Sequence, residues 1–444
     1  MIARRPGRGR RACLGAACAL ATLSMVAARP TPAGAHAVLV TSAPAWGAVL
    51  PSAPGRITLK YDEGVVGQLA RVSVLIGAGR NIAGPPRVAG SVVLVSLGPG
   101  GRGSYTVRWR MVASGDGHVT QGAFSFGVRA KPLPPAAVGG AGVAVAPEVL
   151  AWLQFLGVVL AGGTLVFRAL VSAPAARTLG ERDDREVTAA MWVAVVGAAV
   201  ALHAGLFGFL VGVDPIVGGG LLNVVNTQII PIRVGTHLGQ AWTISTFAWL
   251  GVLTLLIAAW VSPRRREPLL AGAGVFALSI AFGISWASHP ASRGTLALAA
   301  DYLHLLAGAL WAGGLVALAI LAGVVRPRSR PDREALLRAC LVRFSRLALP
   351  IVLVLAAAGG YVAVRELPGP SAVLGTRYGI ALSLKTVVFL GALGLGAYHR
   401  RAVLPRLAAG APLSTVRRTL ALEAGLLLVA LALAATLSQT APPR

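Results

Sequence analysis

Two textures of hydrophobic and polar positions divide the chain. Between residue 36 and about residue 128, apolar and polar residues alternate in short runs: Arg56-Ile-Thr-Leu-Lys-Tyr, Arg71-Val-Ser-Val-Leu-Ile, Ser91-Val-Val-Leu-Val and Tyr105-Thr-Val-Arg-Trp-Arg. Gly and Pro clusters separate them, so the period of two predicts strands, and their spacing predicts a small β-sandwich of about 95 residues. Beyond Glu148 the alternation gives way to eight apolar runs, at about 149–171, 188–212, 240–261, 269–288, 299–324, 347–365, 379–399 and 419–438. Each is long enough to cross ~30 Å of hydrocarbon as a helix. Residues 214–236 hold Asp214, Pro215, Pro231 and several glycines; they are too interrupted for a span and predict an outer loop or re-entrant piece. Residues 131–147, with Pro132, Pro134 and Pro135 before a Gly/Ala/Val run, predict a semi-extended linker.

The first 35 residues carry a basic stretch (Arg4, Arg5, Arg8, Arg10, Arg11), an apolar stretch from Ala12 to Ala28, and the small residues Ala33, Gly34 and Ala35. This pattern predicts a secretory signal peptide over 1–35, cleaved after Ala35. His36 then becomes the first mature residue, with a free α-amine beside its imidazole. Two rival leader readings remain: twin-arginine export through Arg4 and Arg5, and lipidation at Cys18, where Gly15 occupies the position a lipobox gives to Leu.

Composition sharpens the division. Only 13% of the residues are charged and 55% are apolar, yet the formal net charge is +26. A basic excess ordinarily suggests nucleic acid, but here the arginines stand between apolar runs, where they report membrane orientation. One set of alternate connections holds eighteen arginines, among them Arg177, Arg264, Arg265, Arg266, Arg400 and Arg401; the other holds Arg233, Arg293, Arg365 and Arg377. The positive-inside rule places the first set in the cytoplasm. The soluble head and both mature termini are then extracytoplasmic, in a multi-pass plasma-membrane protein with a lipid bilayer and no nucleic acid as partner. Cys13, Cys18 and Cys340 are the three cysteines, so a mature chain has no disulfide framework.

Near the end of the predicted sandwich stands Ser114-Gly-Asp-Gly-His-Val, with Asp116 and His118 two residues apart. An Asp-Gly beside a His reads as a turn. If this pair faces the N-terminus, it also reads as a metal site: the amine and imidazole of His36, the imidazole of His118 and the carboxylate of Asp116 supply three nitrogens and one oxygen, a tetragonal set suited to Cu(II).

The stretch from His36-Ala-Val-Leu-Val to Trp46-Gly-Ala-Val-Leu, with Ala53-Pro54, Tyr105-Thr-Val-Arg-Trp-Arg, Ser114-Gly-Asp-Gly-His and Gly122-Ala-Phe-Ser-Phe, resembles the CopC family of periplasmic copper-binding proteins. The resemblance implies a cupredoxin-like (Ig-like) sandwich over 36–130 and Cu(II) held by His36, Asp116 and His118. Some members add a Met-rich Cu(I) site; here Met111 is the only methionine of the head, and a Cu(II) site alone is expected. A histidine brace also occurs in copper monooxygenases, but a carboxylate ligand such as Asp116 disfavours turnover, and no enzymatic activity is expected.

In the membrane region His203, His237, His289 and His304 all fall toward the head's side, and Asp301 precedes His304 by three residues on one helix face. Ionisable groups in a membrane are functional candidates by default. Structural readings stand beside each: Asp301 at a helix N-terminal end, His237 and His289 in wet loops, and His203 bonded to a neighbouring helix. Lys385 reads as snorkelling outward, Glu423 as pairing with cytoplasmic arginines, and His399 as part of the Tyr398-His-Arg-Arg basic edge. The glycine pairs, among them Gly313 with Gly314 and Gly359 with Gly360, read as helix-packing positions. Ser288-His-Pro, the Asp301–Leu315 stretch, Arg343-Phe-Ser-Arg-Leu-Ala-Leu and Thr376-Arg-Tyr-Gly with Leu384-Lys385 resemble the CopD family of copper-resistance membrane proteins over most of 148–440. Family members often have Asn-Arg where this chain has His399-Arg400.

The expected fold is therefore a multidomain membrane protein, a cupredoxin-like β-sandwich followed by an all-α polytopic bundle of eight transmembrane helices. The expected function is Cu(II) capture by the head and delivery to a membrane pathway of Asp301, His304, His289, His203 and His237, with other periplasmic copper carriers as possible partners. No GxxxxGK[ST] run is present to couple ATP. Two alternatives differ in class: a membrane redox protein holding b-type haem between His203 and His304, and a copper sensor or sequestering scaffold without transport.

Overall fold

The structure is a computed structural model that describes residues 38–440 except 78, 116, 118, 136–145, 181–183, 218–219, 325–330 and 410–413, and also 442–443. The leader over 1–35 lies outside the described residues, as does most of the linker. Helix begins at Ala146, inside the expected linker.

The head forms two four-stranded sheets. β1 (Leu39–Ala43), β3 (Arg56–Tyr61), β6 (Val92–Ser96) and β5 (Arg87–Ala89) make one, in the order β1-β3-β6-β5. β2 (Val49–Leu50), β8 (Val119–Val128), β7 (Gly103–Val112) and β4 (Arg71–Ile76) make the other, in the order β2-β8-β7-β4. All pairs are antiparallel except β2 with β8. The alternation read in sequence sets the faces: Ile57, Leu59 and Tyr61 point inward with Val93, Val95, Val107 and Phe126, while Arg56 and Lys60 point out. Met111 is fully buried in this core, where its thioether packs among side chains.

Among the described residues eight helices are long and apolar enough to span a membrane. They are α1 (Ala146–Thr178), α2 (Arg185–Asp214), α3 (His237–Val261), α4 (Pro263–Trp286), α5 (Thr295–Gly323), α6 (Glu334–Glu366), α7 (Arg377–Leu407) and α8 (Arg418–Ser438). Each overlaps one expected run. The largest difference is in α6, where helix extends through Arg338, Arg343 and Arg346; the Arg338 guanidinium donates to the Leu407 carbonyl, and Arg343 reaches Thr178 Oγ1 at 3.4 Å. Residues 214–236 form neither a span nor an open loop. Short helical turns, Gly220–Val225, Thr227–Ile229 and Ile230–Gly235, fold there into a platform under the head.

The two halves of the bundle reuse local devices. Gly235-Thr-His-Leu-Gly opens α3 and Gly375-Thr-Arg-Tyr-Gly opens α7. In each, the threonine caps the helix by accepting from the glycine amide three residues on, at 2.9 Å for Thr236 and 3.0 Å for Thr376. Leu160-Ala-Gly-Gly on α1 is matched by Trp311-Ala-Gly-Gly on α5, and the two helices cross there. A Cβ on Gly313 would lie 2.4 Å from the Gly163 Cα, so the crossing requires glycine, as small-residue packing between membrane helices does. At the far end, Arg168 of α1 is held by Glu186 of α2 and, at 2.5 Å, by Glu267 of α4.

Candidate copper-handling site

The ten-residue β7–β8 ladder ends in the connection 113–118, which carries the candidate ligands of the head. Asp116 and His118, like His36, lie outside the described residues, so the ligand set remains an expectation from sequence. The residues around them are described. Ser114 is tied to Gly64, its amide donating to the Gly64 carbonyl at 2.9 Å and its hydroxyl at 3.1 Å. Gly117 has φ of +73° and donates its amide to the Ala113 carbonyl at 3.1 Å.

This connection docks on the first turn of α3. The amide of His237 donates to the Ser114 carbonyl at 3.1 Å, and a Cβ on Gly117 would lie 2.7 Å from Leu238 Cδ2. Beside it, Leu69 and Val112 of the head pack into one apolar cluster with Phe209, Val213, Ile229 and Ile232 of the membrane region. The His237 ring lies 5.2 Å from the Trp286 ring, and its Nδ1 is buried with no hydrogen-bond partner among the described residues. His237 thus belongs to the junction between head and bundle. The residue-pattern signal for this was only its place just before a span.

A second group of polar side chains collects on the head's side of α4 to α7. Asp301 Oδ2 accepts from the Ser288 hydroxyl at 3.1 Å. His304, one turn along α5, has Nδ1 2.9 Å from the Leu355 carbonyl of α6 and Nε2 3.3 Å from Lys385 Nζ of α7. The carbonyl can only accept, so Nδ1 carries the proton and Nε2 is left to accept from the ammonium. Lys385 also lies within electrostatic reach of Asp301, and His289 within reach of Asp301 and Glu366. Glu366 is 2% exposed and pairs with Arg293 at 3.5 Å.

The structure brings Asp301, His304 and His289 into one region and places three other side chains differently from the sequence reading. Lys385 does not snorkel outward; its ammonium turns into the bundle because His304 and Asp301 offer it an acceptor and a counter-charge. His203 does not join the group: it is exposed, with Nδ1 2.7 Å from the Ala199 carbonyl of its own helix. An exposed ring and an enclosed ring with both nitrogens engaged do not form the facing pair that haem ligation needs. His399 and Glu423 point at each other, not toward arginines, with Nδ1 3.1 Å from Oε2. Among the described residues no three His, Cys, Asp or Glu side chains converge to hold a metal ion. The head-side group is a charge-compensated polar network, whose members other than Asp301, His304 and His289 carried no distinctive spacing in sequence.

Comparison with known proteins agrees with this division. Residues 39–129 match the CopC domain, residues 144–298 the copper resistance protein D-like N-terminal domain, and residues 338–437 copper resistance protein D. The copper transport protein CutJ of Bacillus subtilis (strain 168) is 25% identical over 389 residues, covering 83% of this chain and 68% of that protein. The crystal structure of CopC from Methylosinus trichosporium OB3b is matched at 23% identity over 23% of this chain and all of that one, with a TM-score of 0.20. One polypeptide thus carries a CopC domain and both copper resistance protein D regions, a CopC–CopD fusion.

Proposed function

We propose that the head captures Cu(II) outside the plasma membrane with His36, Asp116 and His118 and hands it to the membrane region for import and copper homeostasis. The domain content assigns the chain to copper resistance and transport. The observation that carries the finer reading is the docking of the Ser114–Val119 connection on α3, where the His237 amide meets the Ser114 carbonyl. The residues between which the candidate ligands stand in sequence are thus pressed against a histidine whose Nδ1 has no hydrogen-bond partner among the described residues. An imidazole there is a fitting first acceptor for copper leaving nitrogen and oxygen ligands.

From His237 the route passes to the network of His289, Asp301 and His304. Each step offers few ligands, and a conducting pathway needs sites weak enough to release what they bind. Lys385 holds His304 Nε2 in the absence of cargo, so entry of a cation requires the ammonium to withdraw. Arginine asymmetry supports an extracytoplasmic head, where other periplasmic copper carriers would supply it. The reading is of a non-enzymatic transporter.

The test is copper uptake into vesicles reconstituted with full-length protein, wild type against His237→Ala, alongside Cu(II) EPR of both. Lower uptake with an unchanged EPR signal is the expected result. Equal uptake by the two proteins would remove His237 from the route, and a copper EPR signal absent from the wild type would remove the head's Cu(II) site.

A further inference from the structure

The end of α7 departs from regular helix. His399–Val403 forms a π-helical turn, a feature that often accompanies functional positions because it re-aims side chains that a regular turn would direct elsewhere. His399 is thereby set against Glu423 of α8, whose side chain is 1% exposed. The two lie 3.1 Å apart, Nδ1 to Oε2, but not in hydrogen-bonding alignment, and both His399 Nε2 and Glu423 Oε2 are buried with no hydrogen-bond partner among the described residues. They line a cavity of roughly 390 Å³ whose other walls include Trp311, Phe344 and Leu393. An unsatisfied buried carboxylate oxygen in a largely apolar cavity is costly, and that cost falls when a cation occupies the space in front of it.

We infer that His399 and Glu423 form a second metal-cation site, at the end of the bundle remote from the head. One imidazole nitrogen and one carboxylate oxygen suit a borderline transition-metal ion such as copper, with water completing the shell in the cavity. Arg400 and Arg401 stand on the same cavity and oppose a resident cation, which makes the site one of passage. His399 lies fourteen residues beyond Lys385 along α7, about 21 Å at the helical rise. Trp311, seven residues past His304 on α5, lines the cavity from the side of the head-side network's helix. The inference takes its cargo from the proposed copper transport, but the site's existence does not depend on transport.

The experiment uses full-length protein in detergent carrying His36→Ala, Asp116→Ala and His118→Ala to silence the head, titrated with Cu(II) alone and read by EPR and equilibrium binding. Near-UV circular dichroism and gel filtration check folding. Residual copper binding is expected, with one component whose affinity is lowered at least about tenfold by His399→Ala and by Glu423→Gln. Absence of residual binding, or residual binding that both substitutions leave unchanged, would overturn the site. So would co-purification of an anionic lipid that fills the cavity and excludes copper. Wild-type vesicle uptake separates the two readings. Residual binding without uptake keeps the site and rejects transport; uptake without binding at His399 and Glu423 does the reverse.

Discussion

Lys385 Nζ lies 3.3 Å from His304 Nε2, joining α7 to α5 inside the membrane region. The opposite face of the same ring meets α6 through the Leu355 carbonyl at 2.9 Å, so a single imidazole links three helices. Asp301, within electrostatic reach of the ammonium, supplies the compensating charge. The arrangement helps a lysine and an aspartate coexist among apolar helices: each offsets part of the other's desolvation cost, and the Ser288 hydroxyl adds a hydrogen bond to the carboxylate.

That dependence is measurable. Lys385→Met leaves Asp301 without its cation and is expected to destabilise the detergent-solubilised protein by about 3 kcal/mol. The double variant Lys385→Met with Asp301→Asn should recover a large part of that loss. Thermal unfolding of both single variants and the double gives the coupling; strictly additive effects would show that the two charges do not interact.

Adjacent glycines on α6 offer a sharper contrast. A Cβ on Gly359 would lie 2.6 Å from His304 Cε1, whereas a Cβ on Gly360 meets nothing within 4 Å. Gly359→Ala should displace the ring from the Leu355 carbonyl and cost about 1–3 kcal/mol. Gly360→Ala should be neutral or stabilising by up to about 1 kcal/mol. Copper uptake should fall for the first and hold for the second; a matched loss in both would mean that the ring's position is not what matters.

The junction of head and bundle can be trapped covalently. Ser114→Cys with His237→Cys places two thiols on residues joined by a 3.1 Å backbone hydrogen bond, and Cys340 is fully buried and should not compete. A disulfide should form readily on mild oxidation. Adding Gly117→Ala, at φ of +73° and with its Cβ 2.7 Å from Leu238 Cδ2, should reduce the cross-linked fraction several-fold. Efficient cross-linking in the triple variant would show that the docking tolerates the added methyl.

At the remote end, Arg168 holds Glu186 and Glu267 and so ties α1 to α2 and α4. Arg168→Met is expected to lower stability by about 3–5 kcal/mol, the cost of leaving a buried charge unpaired, while Cu(II) binding by the head, read by EPR at low temperature, stays intact. A thermal midpoint equal to wild type would show that the triad is not structural.

How much of this was legible beforehand follows the physics of each region. In the head one sheet face meets the core and the other meets water, so the alternation Arg56-Ile-Thr-Leu-Lys-Tyr announced both the strand and its inward residues. The short strands Val49–Leu50 and Arg87–Ala89 carried too few residues for a pattern. Length and hydropathy alone located all eight spans, because a backbone in hydrocarbon has no stable alternative to helix. The same solvent hid which way their polar residues turn. Lipid and neighbouring helices are both apolar, so periodicity does not separate inside from outside. Lys385 therefore looked like a residue bound for the interface, and His203 resembled the enclosed His304. Only the packing of α5, α6 and α7 decided that Lys385 turns inward, that His203 stays outside, and that His399, on a π-helical turn, faces Glu423. The sequence alone determined the division into a copper-type head and eight spans; which ionisable groups meet was decided by tertiary contacts, since a buried charge goes where a partner from another helix awaits it.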